Sequence, residues 1–92
     1  MFTVIAFDIV DDRTRYRVVQ VLRRYAVRVQ KSVFEAGKLN PADFHRMRLD
    51  VERLINVGED TVRYYLLCGN CVPRIEVSGL GRLTKAEEYK VV

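Results

Sequence analysis

The sequence predicts one α/β (α+β) domain: a single sheet with two helices on one face, in the order β-α-β-β-α-β followed by an extra C-terminal strand. Three observations predict it. Short runs of β-branched and aromatic residues are separated by longer segments with helical apolar spacing. The 92 residues are enough for one hydrophobic core and too few for two. Apolar residues at 49% and charged residues at 30% give the ordinary globular balance, which argues against disorder.

Phe2-Thr3-Val4-Ile5-Ala6-Phe7 reads as a first strand ending near Asp8 or Ile9, apolar on both faces and therefore central. Asp11 and Asp12 offer a choice of N-cap. From Arg13 to about Tyr25, Val18, Val21, Leu22 and Tyr25 recur at helical spacing, with Arg13, Arg17 and Arg24 on or near the opposite side. Val27 to Ala36 reads as a second strand whose alternation is interrupted at Lys31, which predicts a bulge or a functional break. Gly37-Lys38-Leu39 is a turn, and Asn40-Pro41 is a cap followed by a first-turn proline. Phe44, Met47, Leu49, Val51, Leu54 and Ile55 carry that helix to about Val57, where Gly58 stops it. Thr61 to Cys68 reads as a third strand, again apolar on both faces. Arg74 to Ser78 reads as a short fourth strand and Glu87 to Val92 as a last one.

Residues 1–80 thus form the expected core and 81–92 a tail strand, in the ferredoxin-like arrangement. Both helices of that arrangement cover one sheet face. Strands apolar on both sides then need a cover for the other face, and a second copy of the sheet is the simplest one. The tail is expected at that dimer interface.

Charge distribution says more than the net charge of +4. The window 13–31 holds Arg13, Arg15, Arg17, Arg23, Arg24, Arg28 and Lys31 with no acid, so it carries +7 and the remainder −3. Twelve of the sixteen basic residues are arginine, whose planar fork grips phosphate with two hydrogen bonds. Such a block is the footprint of a polyanion-binding face, and equally that of a solvated helix. No stretch is long and apolar enough to cross a bilayer. Met1–Val10 lacks a basic leader and carries Asp8, so a cytoplasmic protein with no membrane partner is expected.

Asp8 closes a hydrophobic strand. A carboxylate there serves either as a hard oxygen ligand for Mg²⁺ or as an anchor for the following helix start. Cys68-Gly69-Asn70-Cys71 is a C-x-x-C with no second pair, half of a zinc site at most, so two reduced thiols are expected. The single histidine, His45, excludes a His-based triad or His-rich metal site. Tyr16, Tyr25, Tyr64, Tyr65 and Tyr89 are expected in the core and its boundary rather than as base-stacking platforms. No glycine-rich phosphate loop is present.

Phe7-Asp8-Ile9-Val10-Asp11-Asp12-Arg13, with Arg15 and Arg17 behind it, is followed by Gln30-Lys31-Ser32-Val33-Phe34-Glu35. This pair of motifs resembles the small CRISPR-associated nuclease family, the "Cas two" protein that accompanies the spacer integrase. Its pattern runs aromatic-Asp-Ile, then Asp-Asp and Arg, then Gln-x-Ser-Val-Phe-Glu. The second motif matches in full, and the resemblance spans essentially the whole chain. Many members carry tyrosine where this chain has Phe7.

The resemblance implies a homodimer in which Asp8 of each subunit holds a shared Mg²⁺, or another divalent cation, and serves catalysis. It implies phosphate contacts from Arg13, Arg15, Arg17, Arg28 and Lys31, with Phe7, Gln30, Ser32 and Phe34 shaping the site. It further implies a CRISPR adaptation protein that binds DNA or RNA, cleaves phosphodiester bonds and scaffolds the CRISPR integrase. A stand-alone toxin-type endoribonuclease and a non-catalytic interaction module are the competing expectations.

Overall fold

The computed structural model of the chain describes residues 1–79, so the expected tail strand lies outside the described residues. Six main elements are present: β1 (Phe2–Asp8), α1 (Asp12–Leu22), β2 (Val27–Gln30), β3 (Val33–Ala36), α2 (Pro41–Glu52) and β4 (Thr61–Leu67). The sheet order is β2-β3-β1-β4 with every neighbouring pair antiparallel, and this β-α-β-β-α-β order is the expected one. It is reached by a different division of the chain.

The residue pattern had supplied one strand between the helices where the arrangement needs two. Val27–Ala36 is in fact a hairpin. Lys31 and Ser32 form its turn, Gln30 pairs with Val33, and the register slips between Arg28 and Gln30. The polar break at Lys31 is therefore a reversal of the chain rather than a bulge in one strand. The expected strand over Arg74–Ser78 is absent. The Cys68 carbonyl takes the N–H of Cys71 at 3.0 Å and of Val72 at 3.3 Å, which turns the chain into a 3₁₀ helix at Val72–Arg74. Pro73 has no N–H to give a ladder, and Ile75–Ser78 has no strand partner among the described residues.

Both helices start as expected. Asp11 caps α1 by accepting the Thr14 N–H, and Asn40 caps α2 by accepting the Asp43 N–H, each at 2.8 Å. The second helix ends at Glu52, five residues before Val57, because local side-chain bonds compete with its continuation. Asp60 accepts the Asn56 N–H at 2.8 Å and Asn56 accepts the Gly58 N–H at 2.9 Å.

The core lies between the helices and one sheet face. Ile5 and Phe7 of β1 and Phe34 and Ala36 of β3 are buried against Val18, Leu22, Met47 and Val51 of the helices, with Val62 and Tyr64 of β4 at its margin. Phe44 meets the Tyr64 ring edge-on with centroids 5.5 Å apart. Alternation sends Val4, Ala6 and Asp8 to the other face, where β3 aligns Glu35 with Val4 and Val33 with Ala6. On the other flank β4 aligns Tyr65 with Val4, Arg63 with Ala6 and Thr61 with Asp8. The uncovered face is thus an apolar strip bounded by Glu35 and Arg63, more polar than expected on the β4 side.

Candidate functional site

The β1–α1 junction is fixed from four sides, which gives Asp8 a defined place. Phe7 donates its N–H to the Ser32 carbonyl at 3.0 Å, carrying β1 up against the β2–β3 turn. The Phe7 ring is buried and packs on Phe34, 6.2 Å between centroids. Arg15 reaches back along α1: its Nη2 donates to the carbonyls of Ile9 (2.9 Å) and Val10 (3.3 Å), and its Nη1 to Asp12 at 2.7 Å. Asp60 accepts the Val10 N–H at 3.0 Å while also holding Asn56, so one carboxylate ties the loop after β1 to the loop before β4. Thr14 holds the Asp11 carboxyl below its ordinary value of 3.8, first through its backbone N–H and then through its hydroxyl.

Asp8 itself is exposed on the open face at the end of β1, opposite Thr61. The desolvation expected for a carboxylate on a greasy strand is absent within one chain. Its oxygens are available to solvent and ligand.

The β2–β3 turn forms the facing wall. Arg28 donates to the Lys31 carbonyl through Nε at 3.0 Å and again through Nη2, and its guanidinium lies 5.9 Å from the centre of the Phe34 ring. Between turn and loop runs an open groove of about 520 Å³, lined by Phe7, Asp8, Ile9, Arg15, Lys31 and Ser32. A second open groove of about 430 Å³ shares Arg15 and Lys31 and extends along α1 past Tyr16, Gln20, Arg23 and Arg28. Asp8 therefore sits at the end of a trough whose walls carry Arg15, Arg23, Arg28 and Lys31 against one further acid, Asp12, which is bonded to Arg15, a net positive field suited to a phosphodiester backbone.

The expected site residues separate into three groups. Asp8, Arg15, Lys31, Ser32 and Phe7 meet in the first groove, and Arg28 lines the second. Arg15 and Arg28 spend several of their donors on backbone carbonyls, so they shape the walls as much as they face a ligand. Arg13 and Arg17 are exposed on α1 outside both grooves, and the Arg13 charge acts on the neighbouring Asp11 carboxyl. Gln30 is exposed in the hairpin and Phe34 is wholly buried, and neither lines a groove.

Two contributors were missed from sequence. Asp60 lies next to Thr61, and its signal is weak: an acid four residues after Asn56 in a connection of turn-forming types. Tyr16, expected in the core or its boundary, is exposed in the second groove. His45 is exposed, as a surface role requires.

No group of three or more His, Cys, Asp or Glu side chains able to hold a metal occurs among the described residues. Mg²⁺ takes one or two carboxylates and keeps waters and substrate oxygens in its other positions. The exposed Asp8 carboxylate beside a cationic trough fits one position of that donor set. Among the described residues no helix is long and apolar enough to cross a membrane.

Comparison with known proteins agrees with this geometry. Residues 1–75 match the family model described as CRISPR associated protein Cas2. The CRISPR-associated endoribonuclease Cas2 3 of Chloroflexus aurantiacus is 44% identical over 92 residues, covering 100% of this chain and 98% of that one. The CRISPR-associated endonuclease Cas2 2 of Thermus thermophilus is 35% identical over 88 residues, covering 96% and 92%. The crystal structure of Streptococcus pyogenes Cas2 superposes with a TM-score of 0.75 at 28% identity, covering 86% of this chain and 100% of that one. With residues 1–75 matched by the family model and curated relatives at 35% and 44% identity over nearly the whole chain, the chain belongs to the Cas2 family of CRISPR-associated proteins.

Proposed function

We propose that two copies of this chain pair through the open faces of their sheets and act on DNA or RNA in CRISPR adaptation, with phosphodiester cleavage as the associated chemistry. The observation that carries this reading is the position of Asp8, exposed at the end of β1 on the unpaired face and in one groove with Arg15 and Lys31. The strip of Val4, Ala6, Val33 and Tyr65 supplies the apolar centre of such an interface. Glu35 and Arg63 at its borders supply charges of opposite sign for a two-fold mate.

Pairing brings two Asp8 carboxylates towards one axis, where their repulsion favours a divalent cation. Asp8 of each subunit would hold Mg²⁺, which when bound supplies Lewis-acid polarisation at a phosphoryl oxygen. The chain's own residues do the rest. Arg23, Lys31 and the outward donors of Arg28 bind the flanking phosphates, and Arg17 adds a long-range positive field from the exposed side of α1. Arg15 keeps the Ile9–Val10 loop, and hence Asp8, in register with the turn. The endoribonuclease and endonuclease names of the relatives support hydrolysis of a phosphodiester bond. Membership of the family supports the CRISPR integrase as partner and the cytoplasm as the place of action.

The test is a cleavage assay on RNA and on duplex DNA with Asp8→Ala, with and without a chelator, alongside light scattering for oligomeric state. The expected result is a dimer whose cleavage requires Mg²⁺ and falls at least a hundredfold in Asp8→Ala, roughly the loss of one major electrostatic contributor. Undiminished cleavage in the variant or in chelator removes the metal-site reading. A purified monomer removes the shared site, and failure to co-purify with the integrase removes the adaptation role.

A further inference from the structure

We propose that Cys68 and Cys71 form a reversible dithiol–disulfide site that exchanges with low-molecular-weight disulfides of the glutathione class. The site is remote from the groove. The β1–β4 ladder pairs Asp8 with Thr61 at one end and Phe2 with Leu67 at the other, so Cys68 lies roughly 20 Å of strand away from Asp8.

Three observations converge. The two sulfurs stand 3.3 Å apart, and both side chains are exposed. The Cys71 N–H to Cys68 carbonyl bond at 3.0 Å closes a four-residue turn. Turns of that kind hold the first and fourth Cα atoms within about 7 Å, the span a disulfide bridges without moving the backbone. The two thiols also differ. The sulfur contact with Cys71, aided by the backbone N–H groups of Asn70 and Cys71, holds Cys68 below the ordinary thiol range. The same sulfur contact pushes Cys71 up. The sequence predicts two reduced thiols here with a strand over Arg74–Ser78 after them; a turn and 3₁₀ helix follow instead and bring the two sulfurs together. Two sulfurs without a third ligand among the described residues do not by themselves complete a zinc site, whereas their spacing suits a bond between them.

The step balances as thiol–disulfide exchange. Cys68 loses its proton to solvent, and its thiolate attacks one sulfur of the small disulfide. That S–S bond breaks and releases one thiolate, which takes up a proton. Cys71, deprotonated in turn, attacks Cys68 Sγ, the mixed disulfide breaks, and the second small thiolate leaves and is protonated. The protein dithiol gives up two electrons and two protons, and the small disulfide becomes two thiols. The product locks the Cys68–Cys71 turn, one wall of an open apolar cleft of about 560 Å³ that also includes Met1, Phe2, Leu67 and Pro73. It thereby fixes the direction in which the chain leaves β4.

The experiment equilibrates the full-length protein with graded mixtures of reduced and oxidised glutathione, quenches by alkylation, and maps the cysteines by mass spectrometry. The expected result is one Cys68–Cys71 disulfide within a chain, appearing as the mixture becomes oxidising and reversed by reductant. Cys71→Ser and Cys68→Ser should each stop at a mixed disulfide with glutathione, because the second exchange needs the partner thiol. Hydrogen exchange at the Cys71 and Val72 amides should slow in the oxidised form. Absence of the internal bond in pure oxidised glutathione, or bonds only between chains, overturns the proposal.

Discussion

Replacing Asp60 with alanine tests whether the loop carrying the site is held as described. The Asp60 carboxylate accepts two backbone N–H groups, Val10 at 3.0 Å from the loop after β1 and Asn56 at 2.8 Å from its own loop before β4. A hydrogen bond to a charged group contributes about 1.5–3 kcal/mol. Asp60 is partly exposed, so each bond is worth about half of that, or roughly 2 kcal/mol for the pair. In a chain of this length about 1 kcal/mol moves the melting temperature by 4–8 °C. Asp60→Ala should therefore melt about 10 °C lower by circular dichroism. Asp60→Asn keeps a single good acceptor and should lose about half as much. Cleavage and binding at a temperature where both variants are folded should also fall, because the freed Val10 N–H unties the segment that follows Asp8. A melting point for Asp60→Ala within about 2 °C of the parent would refute the latch and with it this account of how Asp8 is placed.

The other expectations follow from single contacts. Arg17→Ala should melt unchanged yet weaken binding to all polynucleotide sequences alike, flattening the logarithmic salt dependence by less than the roughly one unit that loss of a direct phosphate contact gives. Arg15→Ala should instead lower the melting temperature by several degrees as well as activity, since it frees the Ile9 and Val10 carbonyls. The Tyr64 hydroxyl is buried without a partner among the described residues, so Tyr64→Phe should keep or raise stability by up to about 1 kcal/mol in denaturant titration. Burial, with Glu52 adding to it, pushes the Tyr64 hydroxyl up to about 12. The parent's stability is intact below the ordinary value of 10 and declines as pH rises towards 12, a decline that the phenylalanine variant should lack in part. Asp11→Ala should lower the melting temperature at pH 7. Because the folded carboxyl lies below 3.8, that deficit should persist above this value and vanish as pH falls through the folded one.

Much of the fold was legible because local signals and burial agreed. Val18, Leu22, Met47 and Val51 recur at helical spacing and are all buried, and Asp11 and Asn40 cap the helices they precede. The misreadings arose where a tertiary or polar interaction outranked propensity. Val27–Ala36 has strand composition throughout, and only the Phe7 N–H bond to Ser32 and the Arg28 clamp on Lys31 make its middle a reversal. Ile75–Val77 has the composition of a strand, but a strand requires a neighbour, which composition does not supply. At the site, Asp8 stood out because a charge ending a greasy run is costly to leave unexplained. Asp60 did not stand out, because its role depends on bonds spanning 50 residues of chain.

The guanidinium that braces the loop after β1 has one more consequence. Both of its acceptors in that loop are main-chain carbonyl oxygens, of Ile9 and Val10, which exchange no proton with solvent. The brace on Asp8 therefore engages no acidic or basic group of the loop itself. An acid–base profile of cleavage thus has fewer scaffold titrations mixed into it, and reports more directly on the reacting groups.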